Sequence, residues 1–165
     1  MREWMIYGAN GYTGNLLARE ASKQGLTPVL AGRNKQALEA LASELGLPCR
    51  VFDLRDPVKA NAGLKGMQAV AHCAGPFSAT SQPMIDACLA THCHYLDITG
   101  EIEVFVAAQK RHAEAEAADI VICSGVGFDV IPTDCIAATL KTELPDADRL
   151  ALGFDSRSGF SPGTA

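Results

Sequence analysis

Short apolar runs and helical periods take turns along nearly the whole chain, and that rhythm leaves few folds open. "WMIYG" reads as a buried strand ending at a glycine, and "TPVLAG", "CRVFDL", "QAVAHCAG", "HYLDI" and "DIVICSG" repeat the pattern. Between them, "TGNLLAREASKQG" sets Leu16, Leu17 and Ala21 on one helical face, with Gly25 to close it. "NKQALEALASELG" offers Asn34 as an N-cap, a stripe of Leu38, Leu41, Ala42 and Leu45, and Gly46 as a stop. "DPVKANAGLKG" begins a short helix with Asp56 as cap and Pro57 at the first helical position. "SQPMIDACLATH" gathers Met84, Ile85, Cys88 and Leu89 on one side, and "EIEVFVAAQKRHAEAEAA" reads as one long helix. Strands with no polar face, each followed by a helix, require a parallel sheet covered on both sides. The expected class is α/β, a doubly wound parallel sheet, with the strand order usual for dinucleotide-binding folds assumed.

The rhythm changes after residue 130. "IPTDCIAATLKTEL" looks helical and "DRLALGFD" looks like a strand. "SRSGFSPGTA" is polar and glycine-rich, and Thr164 there could cap a helix that does not follow. The expected division is residues 1–130 as a nucleotide-binding domain and 131–165 as a linker helix and strand leading into a truncated α/β domain. The length of 165 residues, 48% of them hydrophobic, fits one such domain and part of another.

The chemistry starts at "MIYGANGYTGNLLARE", where Gly8, Gly11 and Gly14 recur every third residue at the first strand-to-helix junction. Glycines there allow a tight turn and close approach of main-chain amides to a pyrophosphate, and the helix start adds a partial positive charge. Asn10, Tyr12 and Thr13 lie in the same loop, with Asn10 or Thr13 as an added donor. The triplet alone would be weak; its place at the head of a βα series makes it a Rossmann-type dinucleotide site rather than a merely structural turn. An NAD preference usually comes from an acid about 20 residues on. Arg33 stands there instead, in "LAGRN", followed by Asn34 and Lys35. A guanidinium pairs with a 2′-phosphate, so the expected cofactor is NADP; a solvated loop arginine is the plain alternative. Asp53 is a candidate neighbour of the adenine, or a loop cap. Ala74, Gly75, Pro76 and Phe77, in "HCAGPF", fall where the strand order reverses and are candidates to lie along the nicotinamide ribose.

"YGANGYTG", "AGR", "HCAGPF", "CHYLDITGE" and "GFDVIPTD" occur in one order, and the series resembles the saccharopine dehydrogenase-like oxidoreductases, over residues 5 to 165. That group includes saccharopine reductases and trans-acting enoyl reductases. The resemblance implies a Rossmann domain followed by an α/β substrate and dimerisation domain, hence a homodimer of the full-length protein. It makes Gly8, Gly11 and Gly14 the phosphate-loop glycines, Arg33 the 2′-phosphate arginine, and 74–77 the nicotinamide-side loop. Tyr95, Asp97, Gly100, Glu101, Phe128 and Asp129 become cleft candidates with no assigned role. Family members often carry Asn-Cys before that loop where this chain has His72-Cys73, so no role is carried to His72. The implied activity is hydride transfer between NADP(H) and a small-molecule or lipid-like imine or enoyl substrate, with the present fragment inactive by itself.

Other classes fare worse. The net charge of −5 without basic runs argues against nucleic acid or a membrane surface. No apolar stretch approaches the roughly 18 residues of a membrane span. "MREWMIYG" shows no secretory signal, so a cytoplasmic location and six reduced, mostly buried cysteines are expected. Of Cys88, His92, Cys93 and His94, the last three would point alternately if extended and Cys88 fits the apolar stripe of its helix, so no metal is expected. Tyr7, Tyr12 and Tyr95 lack the lysine four residues on that would mark a short-chain dehydrogenase. Two alternatives stay open. One is a catalytically silent NADP-sensing module, since no compelling general acid appears. The other is a semialdehyde dehydrogenase-like reductase using Cys73 or Cys123 as nucleophile.

Overall fold

In the computed structural model, which describes residues 3–153, the six strands expected before residue 130 join one parallel sheet. The elements run β1 (Trp4–Tyr7), α1 (Tyr12–Lys23), β2 (Val29–Gly32), α2 (Lys35–Leu45), β3 (Cys49–Val51), α3 (Pro57–Leu64), β4 (Ala69–His72) and α4 (Phe77–Thr91). Then follow β5 (His94–Asp97), α5 (Ile102–Gln109), α6 (His112–Ala117), β6 (Ile122–Cys123) and α7 (Ile131–Glu143). The strand order is β3-β2-β1-β4-β5-β6, as assumed, with Ile6 facing Leu30 on one side and Ala71 on the other.

The central strand shows why both faces are covered. Met5 and Tyr7 enter a core with Leu64, Val70, Met84, Ile85 and Tyr95, on the side of α3 and α4. Ile6, between them, enters a second core with Ala18, Leu30, Leu38 and Leu41, on the side of α1 and α2. Alternation along an extended strand sends neighbours to opposite faces, so a strand apolar throughout must be buried twice. Fully buried Met5, Ile6 and Leu30 each contribute roughly 1.5–3 kcal/mol.

Local signals hold where the interaction is local. The Asn34 carboxamide oxygen accepts from Ala37 N at 3.2 Å, Asp56 accepts from Lys59 N at 3.1 Å, and Gly46 ends α2 with φ +66°. Two helix readings change. The long helix over 101–118 is two, because the chain leaves helical geometry at Arg111 (ψ 7°). Its guanidinium there reaches Asp86 at 2.7 Å and Gln82 at 3.2 Å on α4. The helix expected from Ser81 starts at Phe77 instead. The strand expected over 148–155 is not formed in 148–153, where no element pairs with it; its last residues, Thr164 and the tail 156–165 lie outside the described residues. No described helix is long and apolar enough to cross a membrane.

Candidate functional site

Because all six strands run the same way, their exits lie along one edge of the sheet. The β1 exit turns at Gly8, whose φ of +82° suits glycine. The N–H groups of Gly8 and Ala9 both donate to Ala31 O (2.8 and 3.1 Å), and Gly11 N donates to Gly8 O at 2.9 Å. This folds the loop back on itself. A Cβ on Gly14 would collide with the Gly8 carbonyl, and one on Gly8 would stand 2.9 Å from Ala74 Cβ. The loop therefore presents main chain, with Asn10, Tyr12 and Thr13 exposed around it. The N-cap residue, Gly11, is extended and makes no side-chain cap, and no acid occupies the first turn of α1. Among the described residues the amides of Tyr12, Thr13 and Gly14 have no acceptor. Orphan N–H groups and the helix dipole at such a start favour a negative charge beside it.

At the β2 exit Arg33 is exposed and enters no ion pair among the described residues. Its neighbours are engaged: Asn34 caps α2, and Lys35 pairs with Glu39 at 3.9 Å. Asn10 reaches towards the same strand end, its Oδ1 standing 3.0 Å from where a Gly32 Cβ would be. Gly32 was not a sequence candidate; its place in "AGR" is the only local hint. At the β3 exit Asp53 accepts from Arg55 Nη2 at 2.7 Å and from Arg55 N at 2.9 Å. These Arg55 bonds hold its carboxyl down at about 2, and the Arg33 charge adds to the effect. Asp53 is thus a loop anion matched to Arg55, which leaves the Arg33 guanidinium available.

At the β4 exit come Ala74 and the cis Gly75–Pro76 peptide. Phe77 is not a loop residue: Pro76 is the N-cap and Phe77 the first residue of α4. The reason is a carboxylate from another loop. Glu101 accepts from Phe77 N at 2.8 Å and Ser78 N at 2.9 Å, satisfying the donors that begin the helix. Burial pushes the Glu101 carboxyl up, but these N–H bonds outweigh it and hold the group below its usual value. No local signal marks a cap so distant in sequence.

The remaining cleft candidates divide. Asp97 is buried and accepts from Tyr95 OH (2.6 Å), Thr99 N (3.0 Å), Ser124 Oγ (3.1 Å) and Gly125 N (2.8 Å). It fastens the β5 exit to the β6 exit. Tyr95 is equally buried, and burial followed by the Asp97 charge raises its phenol far above normal. Phe128 and Asp129 are exposed, and Asp129 Oδ2 lies 3.1 Å from where a Gly100 Cβ would stand. Burial, then Asp97, pushes the Cys73 thiol up to about 11, the wrong direction for a thiolate nucleophile.

The cysteines are all free, as expected, but Cys123 and Cys135 are exposed. The first lies on a two-residue edge strand, the second on a helix that buries no residue. His92 Nδ1 bonds Ala118 O and His94 Nδ1 accepts from Val121 N, so these rings serve the backbone.

Residues 4–123 match the family model described as the saccharopine dehydrogenase NADP binding domain. The chain is 34% identical over 149 residues to a probable mitochondrial saccharopine dehydrogenase-like oxidoreductase of Arabidopsis thaliana, covering 80% of this chain and 33% of that one. It is 30% identical over 184 residues to the trans-acting enoyl reductase of Mycobacterium tuberculosis, covering 97% of this chain and 43% of that one. It therefore spans well under half the length of these relatives. Apo saccharopine dehydrogenase (L-Glu forming) from Saccharomyces cerevisiae shares the fold, with a TM-score of 0.72 at 14% identity, covering 86% of this chain and 31% of that one.

Proposed function

The chain belongs to the family of saccharopine dehydrogenase NADP-binding domains, and from that premise we propose that it is the cofactor half of an oxidoreductase that exchanges hydride between NADP(H) and an imine or enoyl substrate. The open first turn of α1 carries this reading: it is a main-chain cradle, too tight for a Cβ at Gly14, with orphan N–H groups. That chemistry fits a pyrophosphate.

NADP(H) supplies the hydride when bound. The amides of Tyr12 and Thr13, with Asn10, would hold the pyrophosphate over Gly8, Gly11 and Gly14. Arg33, unpaired and beside engaged neighbours, would take the 2′-phosphate, with Lys35 adding charge and Asn34 chiefly capping α2. Asp53 would border the adenine. Ala74–Pro76 and Phe77 would lie along the nicotinamide half. The chain's own part in catalysis is orientation, since Asp97 and Glu101 are held in internal bonds and neither is free to deliver a proton.

That engagement of both carboxylates is also what favours the second reading, a silent NADP-sensing module. Oxidation of NADPH by the complete protein with an imine or enoyl substrate decides for the enzyme; binding without turnover of either class decides for the module. The domain division at about residue 130 belongs to the same proposal, supported by α7 burying none of its side chains and by the family match ending at residue 123. So do a homodimer and a cytoplasmic location of the complete protein, although the Arabidopsis relative is named as mitochondrial. Light scattering and cell fractionation check these two.

The cofactor assignment is tested with Arg33→Ala. Losing charge-assisted bonds to a phosphate should weaken NADPH about 10-fold or more and leave NADH unchanged. Equal losses for both cofactors, read by titrating nicotinamide fluorescence, would remove Arg33 from its role.

A further inference from the structure

The strip Ala74–Pro76 is fastened by a threonine that lies outside every motif quoted above. Thr80, in the first turn of α4, places Oγ1 2.7 Å from Ala74 O, 3.0 Å from Pro76 O and 3.0 Å from His72 Nε2. A hydroxyl has one proton to donate, and carbonyl oxygens only accept. The proton therefore goes to the carbonyl side, and the Thr80 oxygen accepts from His72 Nε2–H. This assigns the His72 tautomer from its network and makes Nδ1 a bare acceptor. Nδ1 is indeed the ring atom buried without a partner. The opposite tautomer would bury an unpaired N–H and leave three acceptors competing for one proton, which costs more.

His72 is fully buried at the end of β4. Its ring meets Phe77 edge-on at 5.4 Å and packs near Tyr7 at 5.6 Å and Tyr95 at 6.0 Å. Burial lowers its pKa to about 3, so it stays neutral and keeps its single donor role. Glu101 holds Phe77 N and Ser78 N, the next two residues. The strip is thus held by Thr80, which His72 backs, and the helix start that follows it is held by Glu101.

Resting on the NADP reading above, we propose that Thr80, backed by His72 and opposed by Glu101, is a positioning residue for the nicotinamide half of the cofactor. It acts on the backbone of Ala74–Pro76, and the phosphate cradle and Arg33 do not depend on it.

The test compares two ligands on the complete protein. NADPH uses both halves of the site; 2′,5′-ADP uses only the Arg33 half. Thr80→Val removes one hydroxyl and should weaken NADPH about 3- to 10-fold, the usual worth of a net hydrogen bond, with 2′,5′-ADP unchanged. Thr80→Ser restores the hydroxyl and should restore NADPH. Equal weakening of both ligands, or of neither, overturns the proposal. If Thr80→Val does not fold, Glu101→Ala loosens the same strip from the surface and must show the same split between ligands. Failure of the unaltered protein to bind 2′,5′-ADP overturns the NADP reading itself, and this proposal with it.

Discussion

α1 and α4 start at the same edge of the sheet, after the adjacent strands β1 and β4, yet their first turns are opposites. The donors opening α4 are closed by the Glu101 carboxylate, while α1 has a glycine cap, no side-chain acceptor and no acid. α2 and α3 are closed as well, by Asn34 and Asp56. Orphan N–H groups at a helix start must find an acceptor in side chains, water or a ligand. Of these four helices, α1 alone has no side-chain acceptor at its start among the described residues. The contrast supports the proposed anion site beside the glycine spacing.

Three substitutions bear on it, in decreasing size. Gly14→Ala forces a methyl into the Gly8 carbonyl. It should destabilise the fold by about 1–3 kcal/mol, as overpacking does, and abolish NADPH binding. Calorimetry and cofactor titration check this, and unchanged binding would mean the cradle is not where the phosphates sit. Asn34→Ala removes the α2 cap, for a loss of about 1 kcal/mol by denaturant unfolding. It should leave the preference for NADPH over NADH in place, since the proposed selection rests on Arg33 rather than Asn34.

Glu101→Ala opens α4 and should cost roughly 0.5–1 kcal/mol at neutral pH. Its pH dependence has a definite sign. A carboxyl held below its usual value contributes fully above the unfolded pKa of about 4.3, and that contribution is lost as pH falls through the lower folded value. Melting curves of protein and variant should then converge on the acid side. A constant gap between them would mean that the Glu101 charge does not close α4.

What could be read without coordinates was what depends on near neighbours. The βα alternation, the glycine loop, the Asn34 and Asp56 caps and the Gly46 stop involve residues a few positions apart. Propensity and spacing encode such contacts directly, so the fold class and the glycine turn into α1 were legible. The strand order itself was an assumption from fold rules, and the structure bears it out. Only the tertiary structure could decide where distant side chains meet. The Glu101 plug on α4, the Ser124 and Gly125 bonds into Asp97 and the Arg111 bond to Asp86 join loops and helices that the sheet brings side by side. A hydrogen bond between residues more than twenty positions apart leaves no periodicity and no local preference, because the backbone between them is free to take many paths until the core selects one.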